Sequence, residues 1–184
     1  MKKAVHIIRD PFDNTVSRFH HAHKIHKYDE KFILHYPKTV QGFQAWCSDL
    51  NHKYIHQEAE LWDEKVYEAS KKVPCRAEFY RYIQWHNLAF SNLAKLDIPT
   101  LLITYEDYGY HLDKSLMEIL DFLELPKRSD YPPFHQGNYT FYFTMEQRVA
   151  AMNMMKIQAS EKTWNKMKAY RSKVKEGNAD VYVD

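Results

Sequence analysis

Glycine is scarce in this sequence: only Gly42, Gly109, Gly137 and Gly177 occur in 184 residues. No glycine-rich linker divides the chain. Nothing before Gly42 supplies the glycine of a loop that folds backbone N–H groups around a phosphate. Cysteine is scarcer still, and Cys47 and Cys75 are open to either state, a disulfide in an oxidising lumen or two free thiols. No apolar run is long enough to span a bilayer, and no charged-then-apolar leader opens the chain. A strong net charge is missing too: at +2, no global field announces a nucleic-acid binder.

What remains is an ordinary globular composition, 45% hydrophobic and 27% charged, with 15% aromatic residues led by tyrosine. So much apolar and aromatic surface argues against disorder, and the length suits one domain over residues 1–184. The charge is unevenly placed. Lys2, Lys3, Arg9, Arg18, Lys24 and Lys27 face only Asp10 and Asp13 before Tyr28. A second run holds Lys156, Lys162, Lys166, Lys168, Arg171, Lys173 and Lys175 against Glu161. Each run reads as a solvated helix face.

Apolar periodicity orders the elements. Lys3 to Ile8 forms a near-continuous apolar strand of the buried parallel type. Asp10 follows as an N-cap, with Pro11 at the first helical position. Val40, Phe43, Trp46, Cys47, Leu50 and Tyr54 recur at helical spacing and predict a helix from Val40 to about His56, with a more polar one from Glu58 to Lys71. Another is expected from Ala77 to Leu96. Thr100 to Tyr105 is the second strand, and Leu112 to Leu123 an amphipathic helix closed by Pro126. Lys127 to Phe143 reads as loop. Thr144 with Gln147 has capping-box spacing, and Ser160 caps the last helix. The class is α/β, rich in helices and short of strands. Two parallel strands need others beside them to cover both faces, so either the sheet is incomplete, the favoured expectation, or it is unusually small.

Val5 to Ser17 carries the first chemistry. A guanidinium at the carboxyl end of a strand, beside a helix N-terminus, suits a phosphate: arginine offers a planar fork, and the helix end adds N–H groups and its dipole. Open α/β sheets also place ligands at the carboxyl ends of their strands. The alternative is that Arg9 pairs at the surface with Asp10 or Asp13.

The pattern Ile-x-Arg-Asp-Pro, with a serine eight residues after the arginine, resembles the 3′-phosphate motif of sulfotransferases that use 3′-phosphoadenylyl sulfate (PAPS). Leu101 to Pro126 resembles that family's Tyr-Glu-Asp-Leu segment and the helix after it, and the helix around Trp85-His86 is similar to the element preceding it. Pro133 to Gln147 resembles in part the loop before the family's C-terminal helix, with His135 and Gln136 where many relatives carry basic residues. The resemblance implies that Arg9 and Ser17 hold the 3′-phosphate, that Tyr105 lies near the adenine, and that His135 and Gly137 belong to the nucleotide loop. The other reading of Tyr105 is a core-facing strand tyrosine.

The implied fold is a three-layer, P-loop-NTPase-like parallel sheet without its first strand and phosphosulfate loop, an N-terminally truncated form. The implied function is transfer of sulfuryl from PAPS to a hydroxyl or amine of a carbohydrate or small molecule, leaving PAP. The alternative is an inactive remnant or adapter that keeps only the 3′-phosphate half of the site. The family's activating base lies upstream of the Arg-Ser motif, so no catalytic residue is assigned. Relatives occur in the cytosol and as Golgi lumenal enzymes. The C-terminal segments lean towards the Golgi type, with membrane contact only through an N-terminal anchor.

No nucleic-acid motif accompanies the basic runs. His20, His21, His23 and His26 lack a Cys, Asp or Glu at a familiar ligand spacing, so they read as a solvated, weakly basic face and not a metal site. His52 and His56 are read the same way. His86, on an apolar face, is expected as a satisfied core histidine. The sequon Asn138-Tyr139-Thr140 falls inside the nucleotide loop, where a glycan would obstruct binding, and is taken as chance.

Overall fold

The structure, a computed structural model, describes residues 2–127, 137 and 139–175. Strands β1 (Ala4–Ile8) and β2 (Thr100–Thr104) pair in parallel, in register from Ala4 opposite Thr100 to Ile8 opposite Thr104. Among the described residues they form a two-stranded sheet, so the molecule is a helix-rich α/β arrangement on a small parallel sheet. Each strand is one residue shorter than its apolar run. At the far end of β2 the reason is local. Thr104 turns its hydroxyl to accept from the Asp107 N–H at 3.3 Å and caps a short helix, α7 (Tyr105–Tyr110), not foreseen in the sequence.

Helix α1 (Pro11–Ile25) begins as expected. The Asp10 carboxylate accepts from the N–H groups of Phe12 at 2.8 Å and Asp13 at 3.2 Å, with Pro11 where a missing N–H costs nothing. Phe12, Val16, Phe19 and His23 recur every three or four residues and form its buried stripe. A second unforeseen helix, α2 (Glu30–His35), is capped by Asp29. Helix α3 (Val40–Lys53) starts beneath Pro37, where a Cβ on Gly42 would lie 1.9 Å from the Pro37 carbonyl oxygen. Only glycine permits that approach.

The polar stretch expected as one helix from Glu58 to Lys71 is two, α4 (Ile55–Leu61) and α5 (Glu64–Ser70). Trp62 sits buried at the break, and Asp63 restarts the helix by accepting from the Val66 N–H at 2.8 Å. Helix α6 (Arg76–Lys95) matches expectation closely, as does α8 (Leu112–Leu123). A 3-10 turn, Thr140–Tyr142, interrupts the expected loop. Helix α9 (Met145–Gln158) carries the foreseen capping box between Thr144 and Gln147. Helix α10 (Glu161–Lys175) starts with Ser160 Oγ accepting from the Thr163 N–H at 3.2 Å.

The core lies between the sheet and helices α1, α3, α6 and α9. Ile8, Phe12, Phe19, Phe43, Phe79 and Ile83 are buried together with Met152, Met154, Met155 and Met167. α6 is its spine, packing on α1, α3, α9 and α10. Cys47 of α3 and Cys75 before α6 are joined in a buried disulfide across a sequence separation of 28. Closing a loop of that length removes entropy from the unfolded chain worth about 3–4 kcal/mol. Urea denaturation with and without reductant is expected to show a loss of that order; an unchanged midpoint would mean the bridge adds nothing.

Candidate functional site

The parallel register decides where the site lies. Because Ile8 stands opposite Thr104, the next residues of both strands, Arg9 and Tyr105, emerge side by side. The Arg9 guanidinium lies 4.2 Å over the Tyr105 ring and 6.0 Å from the ring of Tyr139, which comes from the segment before α9. Arg9 is half-buried, and its Nε is buried with no hydrogen-bond partner. The sequence alternative, a surface pair with Asp10 or Asp13, is not what forms: both carboxylates are buried, and Asp10 is committed to capping α1.

That cap changes one expectation. Pro11 has no N–H, those of Phe12 and Asp13 go to the Asp10 side chain, and that of Asn14 goes to the Asp10 carbonyl oxygen at 2.9 Å. The first turn therefore offers no free amide to an anion, and the helix end contributes its dipole alone.

The backbone that presents Arg9 is held on both sides. The Tyr82 hydroxyl of α6 donates to the Arg9 carbonyl oxygen at 2.6 Å. The Asp10 N–H donates to Glu106 Oε1 at 2.7 Å, and Tyr170 of α10 donates its hydroxyl to Glu106 Oε2 at 2.7 Å. Burial raises the pKa of both tyrosines, Tyr82 well above its ordinary value, with nearby carboxylates adding to the effect. Both therefore remain donors at any ordinary pH. Arg9 is thus pre-organised: the peptide group that follows it is satisfied at both ends while part of its guanidinium is not.

Asp10, Asp13 and Glu106 make a buried acidic cluster at this junction. Burial pushes the Asp13 carboxyl up to about 7, Asp10 and Glu106 push the same way, and Arg9 and Arg148 oppose them. Asp10 is also raised, chiefly by burial.

The other sequence candidates are less gathered. Ser17, on α1 two turns from its start, is half-buried and does not line the cavity that Arg9 and Tyr105 border. Gly137 lies beside the Tyr139 ring, where a Cβ would fall 2.6 Å from the phenol end. Gly137 thereby leaves room for the ring that flanks Arg9. His135, Gln136 and Asn138 lie outside the described residues. The histidine-rich segment is the solvated face expected only at His21 and His26, which are exposed; His23 is buried against Phe19 and Phe32, and His20 packs on Tyr139 and Tyr142. Burial lowers the pKa of both. Among the described residues no three His, Cys, Asp or Glu side chains are grouped to hold a metal ion.

His86 is the core histidine the sequence suggested, hydrogen-bonded to buried His6 at 2.8 Å, with burial taking its pKa down to about 3. Sequence reading missed Glu106, Tyr82 and Tyr170 as parts of the site. Glu106 carried a faint signal as the neighbour of Tyr105; the two tyrosines carried none, because they reach the junction from distant helices.

A cavity of about 440 Å³ opens beside Arg9, between α1, α6 and the end of β1. A strand-end arginine beside an aromatic ring and a helix N-terminus defines an anion-binding α/β protein. The sulfotransferase domain family model matches residues 2–179, and the chain belongs to that family. No curated protein and no solved structure matches the chain. Membership implies sulfuryl transfer in general, with a nucleotide donor and an acceptor substrate.

Two outcomes follow from the junction. Tyr170→Phe leaves one buried oxygen of Glu106 without its donor and is expected to cost about 1–3 kcal/mol in chemical denaturation; no change would remove Glu106 from its organising role. Asp13 has a folded pKa of about 7 against an ordinary 3.8, so the folded state retains the proton longer. Its contribution to stability is fully present at low pH and is lost as pH rises between those values. The stability of Asp13→Asn relative to the parent should therefore climb from pH 4 to 7 and level off above; a flat difference would contradict it.

Proposed function

We propose that this protein is a PAPS-dependent sulfotransferase domain, residues 1–184 acting as one unit, that holds the 3′-phosphate of the nucleotide at Arg9. It transfers sulfuryl to a hydroxyl or amine of a carbohydrate or small molecule. Its sheet is read as part of a three-layer, P-loop-like assembly. One observation carries the proposal: a half-buried guanidinium, its backbone fixed at both the C=O and the N–H of the Arg9–Asp10 peptide group, keeps a buried donor without a partner. An unmet buried donor is costly, and a phosphate oxygen meets it with a charge-assisted bond.

Tyr105 supports the guanidinium from below and shields that face from water. Tyr139 closes a further side, and Ser17, His135 and Gly137 complete the phosphate and nucleotide contacts in this reading. PAPS, when bound, supplies an activated sulfuryl group on a phosphate leaving group. The chain's residues named here bind and orient the nucleotide; none is assigned the proton of the acceptor.

Isothermal calorimetry with PAP tests the proposal. Arg9→Ala is expected to weaken binding roughly 10- to 100-fold, the range for losing a charge-assisted hydrogen bond. Arg9→Lys should fall between, because an ammonium keeps the charge without the planar fork. If the parent protein shows neither heat nor thermal shift with PAP, the reading fails.

A further inference from the structure

The cavity beside Arg9 has a second cationic wall that the nucleotide reading does not use. On α6, Glu78 is 2% exposed in its side chain, and its two carboxylate oxygens are taken by different arginines, Oε2 by Arg18 Nε of α1 and Oε1 by Arg81 Nη1 at 2.9 Å. The side chains of Arg18 and Arg81 are 48% and 50% exposed. A buried carboxylate shared this way fixes two guanidiniums at the cavity edge and neutralises only one. With Arg9, three guanidiniums face one carboxylate among the described lining residues. Each of the Glu78 partners uses one N–H on it and keeps the rest of its fork for a ligand.

The same wall carries a platform. Trp85 lies one turn beyond Arg81 on α6, lines the cavity and is 59% exposed. A large aromatic left in water at the mouth of a cavity is a stacking surface for a ring. His86 supplies a neutral polar group. The buried Nδ1 of its partner His6 has no hydrogen-bond partner. That nitrogen costs less as a bare acceptor than as an orphaned N–H. His6 Nε2 therefore donates to His86 Nδ1, and the remaining His86 proton sits on Nε2. With its pKa lowered to about 3, His86 stays an uncharged donor.

We infer that the Arg18, Arg81 and Trp85 side of this cavity, away from Arg9 and Tyr105, is the acceptor subsite and that it selects a ring acceptor bearing an anionic group, of the acidic-sugar type. The ring stacks on Trp85, and its carboxylate or sulfate is held by Arg81 and Arg18. The inference rests on the sulfotransferase reading for the word acceptor, but the anionic-ring site is separable from it.

Binding of p-nitrophenyl β-D-glucuronide and p-nitrophenyl β-D-glucoside, with and without saturating PAP, tests both. The glucuronide is expected to bind at least roughly tenfold tighter than the neutral glucoside, a factor in keeping with one charged hydrogen bond. Arg81→Ala should abolish that preference, Arg81→Lys should keep part of it, and Trp85→Ala should weaken both glycosides alike. PAP affinity should stay within about twofold in all three variants, which also verifies their folding. Equal affinity for the two glycosides, or a preference that survives in Arg81→Ala, overturns the inference. Competition between glucuronide and PAP overturns it too, because the cavity would then belong to the nucleotide. If PAP fails to bind while the charge preference holds, the nucleotide reading falls and the anionic-ring site stands.

Discussion

The contact on which the site depends is the Asp10 N–H donating into the Glu106 carboxylate. It ties the second residue past one strand to the second residue past the other, just beyond the point where the parallel ladder stops. Tyr170 secures the far oxygen of the same carboxylate, and Tyr82 takes the carbonyl of the residue before. With the Asn14 N–H on the Asp10 carbonyl oxygen, these bonds occupy both carbonyl oxygens of residues 9 and 10, which could otherwise accept from the Arg9 guanidinium. A long, flexible cation starts from a fixed point because the Arg9–Asp10 peptide group is engaged at both ends.

The arrangement has an electrostatic cost that the surroundings offset. Three buried carboxyl groups close together cannot all be ionised cheaply in a medium of low polarity. The upward shifts of Asp10 and Asp13 express that conflict. Arg9 and Arg148 oppose it from two sides, so the cluster and the arginine support one another: the acids keep a cation at the strand end, and the cation lets them stay buried. An anion arriving at Arg9 enters this balance directly.

Helix α6 links the strand-end site to the neighbouring cavity. Glu78, Tyr82, Trp85 and His86 recur at spacings of four and three and so share one face. From that face Glu78 anchors two arginines, Tyr82 braces Arg9, Trp85 stays open to water, and His86 pairs with His6 on β1. The adjoining stripe of the same helix, Phe79, Ile83 and Phe90, fills the core.

Local information set much of this in advance. The apolar runs of β1 and β2, the Asp10-Pro11 start of α1, the capping box of α9 and the extent of α6 are short-range matters of side-chain spacing and N–H satisfaction, and they stand in the structure as the residues imply. The break at Trp62-Asp63 and the helices α2 and α7 were harder to see, because a single capping carboxylate or hydroxyl outweighed a weak apolar pattern.

The sequence by itself determined that a guanidinium would leave the end of a strand beside a helix start, since both are written within a few residues. Only the tertiary structure decided that Tyr105 would lie beneath it, that Glu106, Tyr82 and Tyr170 would hold its backbone, and that Asp10 would keep the helix amides for itself. It also decided that the two cysteines would meet. These pairings join residues far apart in the chain, and strand register and helix packing, not local preference, bring them within reach of a hydrogen bond.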